Sequence, residues 1–236
     1  MMRLATISLI GVLLFACGGD GALDGQYVAL GDSISAGNGA SDPAQTGVVA
    51  LVAADRDVPA RNLAVAGATA SDLVERQLPA AMELVEAGDV AFVTVSAGGN
   101  DLAALIPNAA CVEEPLPAAC PLDETLFGIE ERLLRIIDDI RDFDGDVPIV
   151  LIAYPNFFSG TGHAFEAPAE RVLRRFAEML RDVSSTQRNV AVAEPSFEGR
   201  GGELTHVLDE PSDPHPNDAG QQVIAEAVLV ALREID

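Results

Sequence analysis

The run Asp89-Val90-Ala91-Phe92-Val93-Thr94-Val95-Ser96 constrains the fold more than any other stretch of this chain. It is apolar along its length, and a strand of that kind is buried on both faces, as in a parallel sheet flanked by helices. Four further runs read as strands: Tyr27 to Leu30, Arg61 to Ala66, Val147 to Tyr154 and Val190 to Ala193. Helical spacing lies between them. Ala70 to Ala87 would bury Leu73, Leu78, Met82 and Val85. Asp123 to Arg141 would bury Ile129, Leu133, Ile136, Ile137 and Ile140, and Ala169 to Val183 would bury Val172, Leu173, Phe176 and Leu180. Ile34 to Asp57 reads as a loop and a helix, and Pro216 to Ile235 as a closing helix with Pro in its first turn. Strands alternating with helices predict an α/β layer fold with a parallel sheet of about five strands. The 236 residues suit one such domain and show no internal repeat.

In an open α/β sheet, ligand sites form at the carboxyl ends of the strands. The first strand ends in Gly31-Asp32-Ser33, the second in Gly67, the third in Gly98-Gly99-Asn100-Asp101, and His215 stands before the closing helix. Acyl transfer needs a hydroxyl nucleophile with a base beside it, which Ser33 and His215 supply. It also needs donors for the developing oxyanion. The backbone N–H groups of Ser33 and Gly67 and the side-chain amide of Asn100 meet that need. Each residue also has a plain structural reading: a helix cap at Ser33, a turn at Asn100, a helix-entry glycine at Gly67, a surface loop at His215. Their joint placement at strand ends favours a site.

The four segments Gly31-Asp32-Ser33-Ile34-Ser35, Asn62 to Gly67, Gly98-Gly99-Asn100-Asp101 and His215-Pro216-Asn217 resemble, in order, the marker blocks of the SGNH hydrolases, the GDSL-type lipases and esterases. The resemblance runs from about Tyr27 to the last helix. It implies a flavodoxin-like three-layer α/β/α domain over 26–236 and ester hydrolysis by a serine, with neither metal nor other cofactor. Ser33 would be the nucleophile and His215 the base, with the oxyanion hole formed by Ser33, Gly67 and Asn100. The family usually carries an Asp three residues before the His, and that position here is Ser212. Asp213 is the expected partner of His215, with Asp209 or a Ser33–His215 dyad as the alternatives. His163 and His206 are rival bases. His163 is read as substrate-proximal or simply exposed, and His206 as half of a surface pair with Asp209.

Charge narrows the partners. The chain has 14 basic and 37 acidic residues, a net charge of −23. That argues against nucleic acid, whose binding rests on cationic contacts to phosphate. All the basic residues are Arg, so Schiff-base, P-loop lysine and Ser-Lys chemistry are excluded within this chain. Residues 1–16 read as a signal peptide, and Leu14-Phe15-Ala16-Cys17 resembles a lipobox with Cys17 lipidated. Ordinary signal-peptidase cleavage is the alternative. Residues 17–25 would be a flexible tether. The expectation is an exported protein, anchored by lipid in a bacterial envelope or else secreted. Cys111 and Cys120 stand nine apart in a Pro-rich segment and suggest a disulfide, with two free thiols as the alternative. The substrate is expected to be a small acyl ester, a lysophospholipid or an acetylated carbohydrate. Two other readings are a binding lipoprotein with a decayed site and a flavodoxin-like nucleotide binder. The latter has only Gly37-Asn38-Gly39 as a partial fingerprint.

Overall fold

A computed structural model describes residues 25–108, 111, 119–210 and 213–235. The expected signal segment, Cys17, all but the last residue of the tether, and Ser212 lie outside the described residues. The strands are β1 (Gln26–Gly31), β2 (Ala60–Asn62), β3 (Val90–Ser96), β4 (Ile149–Ile152) and β5 (Val190–Ala193). The helices before β3 are α1 (Ser33–Ala36), α2 (Pro43–Thr46), α3 (Val48–Arg56), α4 (Ala70–Asp72) and α5 (Leu78–Glu86), with a π-helical turn, Leu73–Gln77, joining the last two. After β3 come α6 (Gly99–Ala103), α7 (Leu122–Phe143), α8 (Glu166–Thr186), α9 (Gly201–Leu204) and α10 (Asp218–Arg233).

The strands run in the order β2-β1-β3-β4-β5, every neighbouring pair parallel. β3 lies at the centre, and all its residues after Val90 are buried, as its unbroken apolar run requires. Helix α10 packs on α3, β4 and β5, while α5, α7 and α8 pack in series over the sheet, giving three layers. The inward residues of α7 and α8 include Ile129, Leu133, Ile136, Ile137, Ile140, Val172, Phe176 and Leu180, each at helical spacing. Tyr27 stacks on Phe92 at 4.5 Å and satisfies its hydroxyl on Thr94 Oγ1 at 2.7 Å, so the aromatic pair sits in the core without an orphaned polar group.

Chain order reverses between β1 and β3, because the chain first goes outward to β2 and then back across β1. Such a switch point opens a crevice at the carboxyl ends of the strands. β1 and β3 end level with each other, Gly31 opposite Ser96, and release Ser33 and Asn100 side by side in the fold.

Three sequence expectations are corrected. The second strand covers only Ala60–Asn62, three residues at the edge of the sheet. Leu63 and Val65 still donate to the carbonyls of Ala29 and Gly31. Pro216 lies outside α10. Asn217 caps that helix, its side-chain oxygen accepting from the N–H groups of Ala219 and Gly220. The expected helix from Ala70 to Ala87 is continuous except for the π turn, which brings Gln77 under the end of β1. Buried Gln77 accepts from Gly31 N–H and donates to Gly31 C=O, both at 2.8 Å, so its amide substitutes for a neighbouring strand. Gln77→Ala is expected to lower stability by about 1–3 kcal/mol, the effect of stranding a buried backbone donor. Urea denaturation checks it.

Candidate active site

The turn that presents Ser33 is built from Asp32. Asp32 caps α1, its Oδ1 accepting from Ile34 N–H at 3.0 Å, while Oδ2 accepts from the Tyr154 hydroxyl at 2.7 Å. Tyr154 follows β4 and reaches Asp32 because Gly99 has no side chain: a Cβ there would lie 2.8 Å from Tyr154 Cζ. Burial pushes the Asp32 carboxyl up, and the Tyr154 hydrogen bond, the Ile34 N–H and the charge of His215 each pull it back part of the way. Burial, the charge of Asp32 and the bond to it push the Tyr154 hydroxyl up, so it stays a donor. Behind the turn, Ser35 Oγ and Ser96 Oγ are 2.7 Å apart and join the ends of β1 and β3.

Asn100 and Asp101 stand at the start of α6 and grip the loop that carries Gly67. The Asn100 amide donates to Ala68 C=O at 2.9 Å, and Asp101 Oδ2 accepts from Ala70 N–H at 3.0 Å. Only one of the two Asn100 amide hydrogens is taken by that bond. Gly67 has φ of +81°, a left-handed conformation that side chains disfavour, which accounts for glycine at this turn. Gly67 itself lines a separate small hollow of about 120 Å³ with Ala68 and Gln77, one residue from the carbonyl that Asn100 holds.

His215 sits on the loop before α10. Its Nδ1 lies 2.5 Å from Asp213 Oδ1, and the same oxygen accepts from His215 N–H at 3.0 Å. A carboxylate only accepts, so Nδ1 carries a proton, and in the neutral ring Nε2 then keeps the lone pair a general base needs. Partial burial alone would raise the Asp213 carboxyl, but the two hydrogen bonds from His215 and its charge outweigh this and hold it below the usual range. Asp209, the other carboxylate considered, is exposed, with its backbone N–H on His206 C=O. The loop is anchored on the segment after Ser33. His206 Nε2 donates to Gly39 C=O at 2.8 Å, and Asp218 accepts from Ser41 and Thr46.

Ser33, Asn100 and His215 line one cavity of about 390 Å³, together with Asp32 and Tyr154. The other two histidines lie elsewhere. His206 is bonded to Gly39 rather than paired with Asp209 as expected. His163 is stacked on Phe158 with ring centroids 4.7 Å apart and accepts from Phe165 N–H, in the wall of an outer groove. Cys111 and Cys120 form a disulfide. Among the described residues no group of three or more His, Cys, Asp or Glu could hold a metal ion.

The model of the GDSL-like Lipase/Acylhydrolase family matches residues 29–223. The chain belongs to that family. The block that holds Ser33, the Asn100 block and His215 all fall inside the match. Solved structures share the fold. The extracellular lipase of Streptomyces rimosus is 22% identical with a TM-score of 0.66, the match covering 88% of this chain and 99% of that one. Phospholipase A1 of Streptomyces albidoflavus is 22% identical with a TM-score of 0.63, covering 90% of this chain and 100% of that one. A mutant acetyl-xylooligosaccharide esterase of Geobacillus stearmophilus is 20% identical with a TM-score of 0.56, covering 88% and 94%. No curated protein sequence matches.

The contact between Tyr154 and Asp32 escapes a motif reading. Tyr154 lies in an apolar strand run, and Asp32 reads as a helix cap; their contact spans 122 residues. A tyrosine inside such a run is itself a signal, since its hydroxyl must find a partner. Tyr154→Phe should lower stability by about 1–3 kcal/mol by removing a donor from a buried carboxylate. The loss should shrink on acidification: the folded-state pKa of Asp32 is raised, so lowering the pH neutralises the carboxyl and removes the charge that needs the donor. Urea denaturation at neutral and mildly acidic pH measures both effects.

Proposed function

We propose that the protein is a serine-dependent carboxylic ester hydrolase. Ser33 attacks the ester carbonyl while His215 Nε2 takes its proton, and the ester C–O bond breaks as His215 returns that proton to the departing alcohol. Water, deprotonated in turn by His215, then cleaves the acyl-Ser33 ester and restores the hydroxyl. Asp213 keeps the imidazole in the right tautomer and stabilises its charged form. Ser33 N–H, Gly67 N–H and the second Asn100 amide hydrogen receive the oxyanion.

The observation that carries this reading is the 2.5 Å contact of His215 Nδ1 with Asp213 Oδ1, in a loop whose histidine lines the same cavity as Ser33 and Asn100. The non-catalytic lipoprotein reading drew on the missing acid at position 212, and the Asp213 contact supports the catalytic reading over it. Membership of a lipase/acylhydrolase family points to ester or lipid substrates. Export, with a lipid anchor on Cys17, is part of the proposal. It is supported by the apolar segment before Cys17 and by a disulfide, which belongs to oxidising compartments.

Hydrolysis of p-nitrophenyl esters is the test. Ser33→Ala with retained fold should abolish turnover, and Asn100→Ala should lower kcat by roughly 100-fold or more, the effect of deleting an oxyanion donor. Turnover unchanged in Ser33→Ala would overturn the assignment of the nucleophile.

A further inference from the structure

Beyond the reacting groups, the cavity at Ser33 has an apolar arm. Its lining comes from Leu102 of α6 and Ile106 just after it, and from Phe157, Phe158, Phe165 and Leu173 of the β4–α8 connection and α8. Among the described residues, the polar side chains that line the cavity are Asp32, Ser33, Asn100, Tyr154 and His215. Asp32 and Tyr154 satisfy each other, and the remaining three are the reacting groups. Among the described residues, the side chains of the arm therefore offer no hydrogen bond to a hydroxyl, a phosphate or a sugar, each of which would lose water there.

The aromatic wall is preformed. Phe158 meets Phe165 edge-on at 5.8 Å, and Phe157 meets Phe197 edge-on at 5.9 Å. Asn156 accepts from Phe158 N–H and donates to Glu166 C=O, and the Glu166 carboxylate accepts from Gly160 and Gly162 N–H. An apolar cavity held open by its own frame is a binding site for apolar matter.

We propose that this arm is the site of a straight, medium-length acyl chain, so that the preferred substrates are esters of acids of about six to ten carbons. The alcohol of an ester is the polar end of the molecule and belongs in the open mouth, where water reaches it. A methylene is about as large as a water molecule's share of liquid, about 30 Å³, so a 390 Å³ cavity holds a chain of roughly ten carbons after the carbonyl is seated. Each added methylene should raise kcat/KM about fourfold until the arm is full. The identification of the chain as an acyl group rests on the esterase reading; the binding of an alkyl chain does not.

Two measurements on the full chain test the proposal separately from that reading. In the first, kcat/KM is followed across p-nitrophenyl esters from acetate to palmitate. The expected result is a rise of up to about 4,000-fold from acetate to octanoate, six methylenes at about fourfold each, then a fall at long chains. Ala169 is 1% exposed and lines the arm, so Ala169→Leu narrows it; the octanoate-to-acetate ratio should drop about tenfold or more. A maximum at acetate, or an unchanged ratio in Ala169→Leu of confirmed fold, overturns the proposal while leaving an esterase. In the second, 1-octanol is titrated into Ser33→Ala by calorimetry. Saturable one-site binding, weakened by Ala169→Leu, is expected even if no ester is hydrolysed, in which case the esterase reading fails and the chain site stands. Absence of binding overturns the chain site.

Discussion

The parallel pairing of β1 with β3 is the constraint on which the site depends. Both strands are buried, and they end in register at Gly31 and Ser96, at the point where the order of strands reverses. Nothing in the sheet covers the space beyond that seam, so the chain leaving each strand borders a crevice. Ser33 leaves from one strand and Asn100 from the other. Their neighbourhood is thus fixed by backbone hydrogen bonds in the most buried part of the molecule rather than by loop packing.

Buried and half-buried polar groups around the seam are joined to one another. Gln77 completes the backbone of Gly31, Ser35 meets Ser96, Asp32 meets Tyr154, and Asn100 and Asp101 grip the Gly67 loop. Satisfied networks of this kind rigidify a site, because any departure leaves an unpaired polar atom in a low dielectric. The His215 loop is held differently, by contacts to the segment after Ser33: His206 to Gly39, Asp218 to Ser41 and Thr46, and Gln221 to Asn38 C=O and Val48 N–H. The Ser33 and His215 loops are thereby tied together although 182 positions separate the two residues.

What the sequence discloses follows from how local the signal is. The β3 run and the spacing of Ile129, Leu133, Ile136 and Ile140 in α7 report directly on burial, so strand and helix were legible there. The ends of elements were less so. β2 covers only Ala60–Asn62, three exposed residues at the sheet edge, and no periodicity of burial marks where such a strand ends. The π turn ending at Gln77 answers to the needs of Gly31, 46 residues away. The convergence of Ser33, Asn100 and His215 on one cavity was legible because each sits at a strand end or helix start marked by Gly or Pro. Asp213 stands two residues before His215 instead of three. Its contact depends on the turn through Pro214, which spacing alone does not decide.

The account turns on Ser33 being an activated nucleophile, and covalent labelling reads this without assuming a substrate. The folded protein would be treated with a fluorophosphonate and the modified residue located by peptide mass spectrometry, beside a His215→Ala variant. The account predicts a single adduct on Ser33 whose rate of formation falls by about 100-fold or more in the variant, which lacks the base. Labelling of a different residue, or of Ser33 at the same rate without His215, would contradict it.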